Sequence, residues 1–172
     1  GDPIEGIIRG VGLSNDGRQS GFLAPSGDGQ LRAMNAAYAG AGLTPADVQY
    51  VECHATGTLR GDAVEIGALA RLFADAPRPA IGSLKHNIGH AVTASGIASL
   101  FKVLGAMEAR ELPPMPCEAP IDAIAENGFR LPAVGEPWAA DGPRRAAISN
   151  FGFGGNNAHM IVEEWSADAG VS

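Results

Sequence analysis

The stretch "VQYVECHATGTLRGDAVEIGALARLF", residues 48–73, decides the fold. It begins with a short β-branched and aromatic run over 48–52 and passes through a polar loop carrying His54, Thr56 and Thr58. It closes over 61–73, where Val64, Ile66, Leu69, Leu72 and Phe73 supply the apolar positions. A short apolar run bounded by turn residues predicts a strand, and the following pattern predicts a helix. Strand, polar loop and helix together make one α/β unit, the kind of unit whose ligands gather where the loops leave the strand ends. Within the loop Cys53 lies beside His54, and a thiol next to an imidazole invites the reading of a nucleophile with its base.

Outward from this unit the same alternation continues. Residues 4–13 are branched and glycine-punctuated and predict a strand, followed by a Gly/Ser/Asp/Pro-rich loop over 14–28. Leu31, Met34, Ala37 and Tyr38 form one stripe of a helix over 30–41, and Gly42 stops it. Thr44 and Pro45 read as an N-cap with proline at the first position of a short turn. On the other side, 79–83 predicts a strand. A helix over 93–110 is apolar nearly all round, and its position is expected in the buried middle of the molecule. Residues 113–143 are rich in Pro, Ala and Glu, with a strand-like island at 128–131, and read as an ordered surface connection. Strands at 145–150 and 158–163, joined through "FGFGGNN", close the chain. The order predicts an α/β layered domain.

A chain of 172 residues with 45% hydrophobic and 18% charged residues is expected to build one globular domain. Its net charge of -7 and two lysines, Lys85 and Lys102, argue against a nucleic-acid or anionic-membrane surface, which needs clustered basic groups. Two cysteines without C-x-x-C spacing predict a reducing, cytoplasmic location and no metal site. The most apolar run, 91–107, is interrupted by Thr93, Ser95, Ser99 and Lys102, so no membrane span is expected. The chain starts at glycine and its first methionine is Met34, which suits a piece of a longer polypeptide.

Three clusters carry groups with chemistry, each just after a predicted strand: "HATGT" (54–58), "KHNIGH" (85–90) and "NFGFGGNNAH" (150–159). Paired imidazoles near an ammonium can donate to a carbonyl oxygen that becomes negative in a transition state, and glycine turns offer backbone N–H groups to the same oxygen. Asn157 breaks the G-x-G-x-x-G pattern, and Asp16 breaks the G-x-S-x-G elbow. A metal hydrolase would need H-E-x-x-H or C-x-x-C spacing, and neither occurs.

The segments "VECHATGTLRGDAVEIGAL", "GSLKHNIGHAVTASGIASLFKVL" and "ISNFGFGGNNAHMIVEE", together with the opening "IIRGVGLSNDGRQSGFLAPSGDGQ", resemble the second half of a β-ketoacyl synthase, the condensing domain of type I polyketide synthases and their relatives. The resemblance implies a thiolase-like αβα sandwich, one of two pseudo-symmetric halves, with this chain as the C-terminal half plus one strand of the other. It divides the chain into a core over 1–112, the connection over 113–143, closing strands over 144–165 and a tail over 166–172.

By the same resemblance the nucleophilic cysteine belongs to the N-terminal half, in a motif similar to "TACSS" that this sequence lacks, and Cys53 becomes a small residue at a tight strand end. His54 and His90 match the two catalytic histidines, which would donate to the malonyl thioester oxygen as carbon dioxide leaves. Lys85 matches the family's lysine, with Glu65 as the acid beside it. Thr56 and Thr58 resemble residues lining the mouth for the phosphopantetheine arm, and Phe153 and Gly154 lie in the oxyanion and gate loop. His86 and His159 are read as structural. The implied partners are an acyl carrier protein bearing acyl and malonyl-type thioesters, the N-terminal half and a second copy in a homodimer. Phosphopantetheine comes with the carrier protein, and no cofactor is held by this chain. Ala55, Ala63, Asn150 and Asn156 depart from the family's usual Gly, Pro, Ser and Thr and bear on substrate preference. The isolated chain is expected not to condense. The alternative is a non-catalytic partner that sets chain length or dimerisation.

Overall fold

The computed structural model describes residues 2–17 and 24–167, so part of the expected 14–28 loop and most of the expected tail lie outside the described residues. Five strands form one mixed sheet in the order β1-β7-β6-β2-β3. Strand β7 (Asn156–Glu163) runs antiparallel to both β1 (Ile7–Asn15) and β6 (Arg145–Gly152), while β2 (Tyr50–Glu52) lies parallel to both β6 and β3 (Ala80–Gly82). Helices α1 (Gly27–Ala41) and α2 (Leu59–Leu72) cover one face, and α4 (Ser95–Ala109) covers the other. The short α3 (Lys85–Ile88) lies between β3 and α4, and a small outer pair, β4 (Glu111–Leu112) with β5 (Glu136–Pro137), flanks α5 (Asp122–Glu126).

Strand alternation sorts the core into two layers. Val51, Ala147 and Ile161 meet Met34, Tyr38, Leu69 and Phe73 on one face, whereas Tyr50, Ala146, Ile148 and Val162 meet Val103, Met107 and Trp138 on the other. Helix α1 starts earlier than its apolar stripe indicated because Ser26 caps it, accepting from the Gly29 N–H, and Gly42 ends it in the left-handed conformation at φ 65. Gly10 and Gly12 let α1 lie directly on β1: a Cβ on Gly12 would strike the Ala33 carbonyl oxygen, which belongs to the backbone and cannot swing aside. Gly12→Ala is expected to lower unfolding free energy by roughly 1–3 kcal/mol or more, read from a denaturant midpoint.

Two expectations change. Helix α4 is not enclosed. Ser95, Ser99, Val103, Ala106 and Met107 are buried on the sheet, but Phe101 is 66% and Ile97 50% exposed, because among the described residues no further layer covers the outer face. The helical run Val92–Ala109 is also long and apolar enough, by length and composition, to pass for a membrane span, with 28% of it buried. Hydroxyl and lysine interruptions did not lower its mean hydropathy as far as expected. The connection over 113–143 is ordered, yet it is more than surface: Phe129 and Trp138 are 5% and 1% exposed and belong to the two core layers.

Candidate active site

Parallel strands β2 and β3 end side by side, so the loops that leave them meet. The first loop carries His54 and the second carries Lys85 and His90. The His54 and His90 rings stand edge to face with centroids 5.5 Å apart, and Phe151 of β6 packs its ring 5.7 Å from that of His54. Three clusters far apart in sequence thereby converge on one end of the sheet.

The two imidazoles are prepared differently. His90 is exposed, and its Nδ1 accepts a hydrogen bond from the Val92 N–H at 3.0 Å. An accepting Nδ1 carries no proton, so neutral His90 has its proton on Nε2, which is then the donor. The bond requires Val92 at φ 49, a conformation a β-branched residue rarely adopts, and this local strain accompanies the orientation of the ring. His54 is half-buried. Burial first, then the nearby Lys85 and His90, push its pKa down to about 4, so it is neutral at pH 7.

Glu65 reaches back from α2 and accepts from the backbone N–H groups of His54 and Ala55, each at 2.8 Å. Both carboxylate oxygens hold the loop that presents His54, so Glu65 acts on the expected Lys85 through its charge and not through a hydrogen bond. Burial pushes Glu65 up to about 7, against the lowering effect of those two N–H donors. Lys85 is 9% exposed, and its Nζ has no hydrogen-bond partner among the described residues. Burial lowers its pKa while the Glu52 and Glu65 carboxylates counter that effect, so Lys85 is no surface ion pair.

Cys53 is 3% exposed in the core beneath the loop, with its sulfur 3.9 Å from the Val51 carbonyl oxygen. Burial and the neighbouring Glu65 and Glu52 carboxylates raise its pKa well above the ordinary thiol value, which opposes thiolate formation. A cavity of about 360 Å³ opens here, lined by Thr56, Cys53, Glu65, Lys85, His90 and Met115 among others. Thr56 and Thr58 are exposed, with hydroxyl oxygens 3.5 Å apart, and only Thr56 reaches the cavity lining. Phe153 and Gly154 form the β6–β7 turn, where Phe153 is 79% exposed and Gly154 adopts φ 78.

His86 is exposed beside the cavity, whereas His159 is buried under Tyr38 and bonded to Ser149. Sequence reasoning passed over Phe151, Val92 and Glu52. Only Phe151, inside the quoted "NFGFGG", carried a signal. Among the described residues no three His, Cys, Asp or Glu side chains cluster as a metal site would require.

A mixed sheet between helices, with two imidazoles at the ends of adjacent parallel strands, is shared with solved ketosynthase domains and places the chain in the thiolase-like α/β class. Residues 5–117 match the family model for the C-terminal domain of beta-ketoacyl synthases, and the chain belongs to that family. It is 46% identical to a highly reducing polyketide synthase of Emericella nidulans, covering 97% of this chain and 7% of that protein. It is 42% identical to the 5-methyl-1-naphthoate synthase of Streptomyces sahachiroi, covering 95% and 10%. Among solved structures, an oxazolomycin ketosynthase domain of Streptomyces albus superposes with TM-score 0.89 at 38% identity, covering 96% of this chain and 31% of that one. The ketosynthase from module 6 of the bacillaene synthase of Bacillus subtilis gives TM-score 0.89 at 37% identity, covering 96% and 32%. The chain therefore spans only a small part of its curated relatives.

Proposed function

We propose that this chain forms the C-terminal half of a condensing site for decarboxylative Claisen condensation between an acyl thioester and a malonyl-type extender on an acyl carrier protein. The carrying observation is the edge-to-face pair His54 and His90, in which His90 keeps its proton on Nε2. Loss of carbon dioxide from the malonyl unit leaves an enolate. Two imidazole N–H groups aimed at its oxygen donate where the charge develops. The acyl group is carried on a cysteine of the N-terminal half, and the phosphopantetheine arm of the carrier protein enters past Thr56 and Thr58. Lys85 contributes positive potential at the rear of the site. The Phe153–Gly154 turn offers backbone N–H to the acyl thioester oxygen. The parent works as a homodimer in the cytoplasm.

The open face of α4 supports the two-half arrangement, since exposed Ile97 and Phe101 on an otherwise packed helix are apolar surface in want of a covering layer. The purified chain alone is expected to give no malonyl-dependent condensation, because no nucleophile motif occurs in it. Adding the N-terminal half is expected to restore turnover. Condensation by the chain alone would overturn the reading. A purely architectural partner has no chemical use for His54, His90 and Lys85.

A further inference from the structure

Glu52 has no part in the reading above, yet it is the most heavily engaged acid near the site. It ends β2 with 0% of its surface exposed. Its carboxylate accepts from the Tyr50 hydroxyl at 2.9 Å, from Lys102 Nζ of α4 at 2.7 Å and from the backbone N–H of Leu84. Leu84 is the residue before α3, the four-residue helix that opens on Lys85 and ends at Gly89 immediately before His90. Among the described residues Glu52 is the side chain that accepts from Leu84, the residue at the cap of that helix. Backbone bonds from His86 to Ser83, from Asn87 and Ile88 to Leu84 and from Gly89 to Lys85 close this turn, but a single turn needs anchors outside itself to hold its place. The Ser83 hydroxyl supplies one by donating to the Ala55 carbonyl, and the bond from Leu84 to Glu52 supplies the other, tying the residue before Lys85 to β2.

The charges agree with that geometry. Lys102 is 11% exposed and pairs directly with Glu52 at 2.7 Å, so the buried carboxylate has an opposite charge beside it. The groups that act on the Lys85 ammonium are Glu52 from β2, Glu65 from α2, Cys53 and His54 from the loop between them, and Lys102 from α4; Glu52 is the strongest of the attractive ones.

We propose that Glu52 is a positioning residue: one carboxylate clamps the Lys85–His90 turn through the Leu84 N–H and faces the Lys85 ammonium, while Lys102 ties the same carboxylate to α4. This rests on the condensing reading for its kinetic readout only. The experiment uses the full-length ketosynthase containing this half, with Glu52→Leu and with Glu52→Leu combined with Lys102→Met. Both remove the acceptor for the Leu84 N–H, and the double variant leaves no unpaired buried ammonium, which keeps the clamp testable where the single variant does not fold.

Both variants are expected to lower kcat by about 10²-fold, the cost of a small displacement of reacting groups, with KM nearly unchanged. The pH at which Lys85 becomes reactive toward acetic anhydride should fall in both. That labelling needs no turnover. If the double variant regains wild-type kcat and labelling pH, Glu52 serves only to neutralise Lys102 and the proposal is overturned. It is overturned equally if Glu52→Leu moves neither quantity. A wild-type enzyme that fails to condense would count against the condensing reading alone, and the Lys85 labelling would still judge the clamp.

Discussion

His90→Ala in a full-length ketosynthase carrying this half is expected to lower kcat for condensation by about 10²–10³-fold, the usual cost of removing one donor from a developing oxyanion. His54→Ala should cost a similar factor. The loss should fall on decarboxylation, which the two imidazoles serve, and spare the earlier acylation of the nucleophile in the other half. Mass spectrometry of the acylated protein separates the steps: acyl transfer near the wild-type rate with carbon dioxide release abolished is the expected pattern. The pH dependence adds a second check. His54 stays neutral down to about pH 4, so it should contribute no acid limb to kcat near neutrality. A variant of either histidine that releases carbon dioxide at the wild-type rate would remove the enolate role.

Much of this arrangement was legible because chemistry-bearing residues sat directly after apolar runs. The run over 48–52 announced β2, and whatever follows a parallel strand lies at the ligand end of the sheet, so His54 could be placed before any coordinates. The same argument placed Lys85 and His90 after β3. The helix α3 was not legible, since four residues show no period, and the hold of Glu65 on the His54 loop was missed for a related reason. Sequence spacing shows that Glu65 lies nearly two helical turns into α2 but not that the preceding loop folds back to offer it two N–H groups. Glu52 was hidden in plain view. In a strand, alternation assigns a residue to a face, and an acid on an apolar face reads as a strand end; its partners come from α4 and from the turn before α3, which only the tertiary fold brings together. The α4 expectation failed differently. All-round apolarity states that a helix is covered, and the cover need not come from the same stretch of chain.

Acid should unfold this protein earlier than its carboxylates alone would require, because His159 is buried without compensation. The ring is 1% exposed, stacks on Tyr38 with centroids 5.8 Å apart, and has Nδ1 3.0 Å from the Ser149 hydroxyl, while Nε2 has no partner among the described residues. Burial pushes its pKa down to about 3 from the ordinary 6.5. The unfolded chain takes up a proton that the folded one refuses, so the stabilisation is complete above pH 6.5 and is lost as pH falls toward 3. The loss amounts to as much as roughly 5 kcal/mol, at about 1.4 kcal/mol per pH unit. His54 acts in the same direction between 6.5 and about 4. Glu65 acts oppositely, since its folded pKa of about 7 against 4.5 unfolded gives a contribution present at low pH and lost as pH rises to 7. Two histidines against one carboxyl leave stability rising with pH between 4.5 and 6.5.

His159→Phe keeps the stack on Tyr38 and removes the titration, while leaving the Ser149 hydroxyl unpaired at a cost of about 1 kcal/mol. Urea unfolding at a series of pH values should therefore show the variant weaker than wild type at pH 7.5 and gaining on it steadily below 6.5, its pH slope shallower by about one proton. Parallel slopes would mean that the folded protein admits a proton to His159 after all. The stack on Tyr38 would then have to open in acid to receive it.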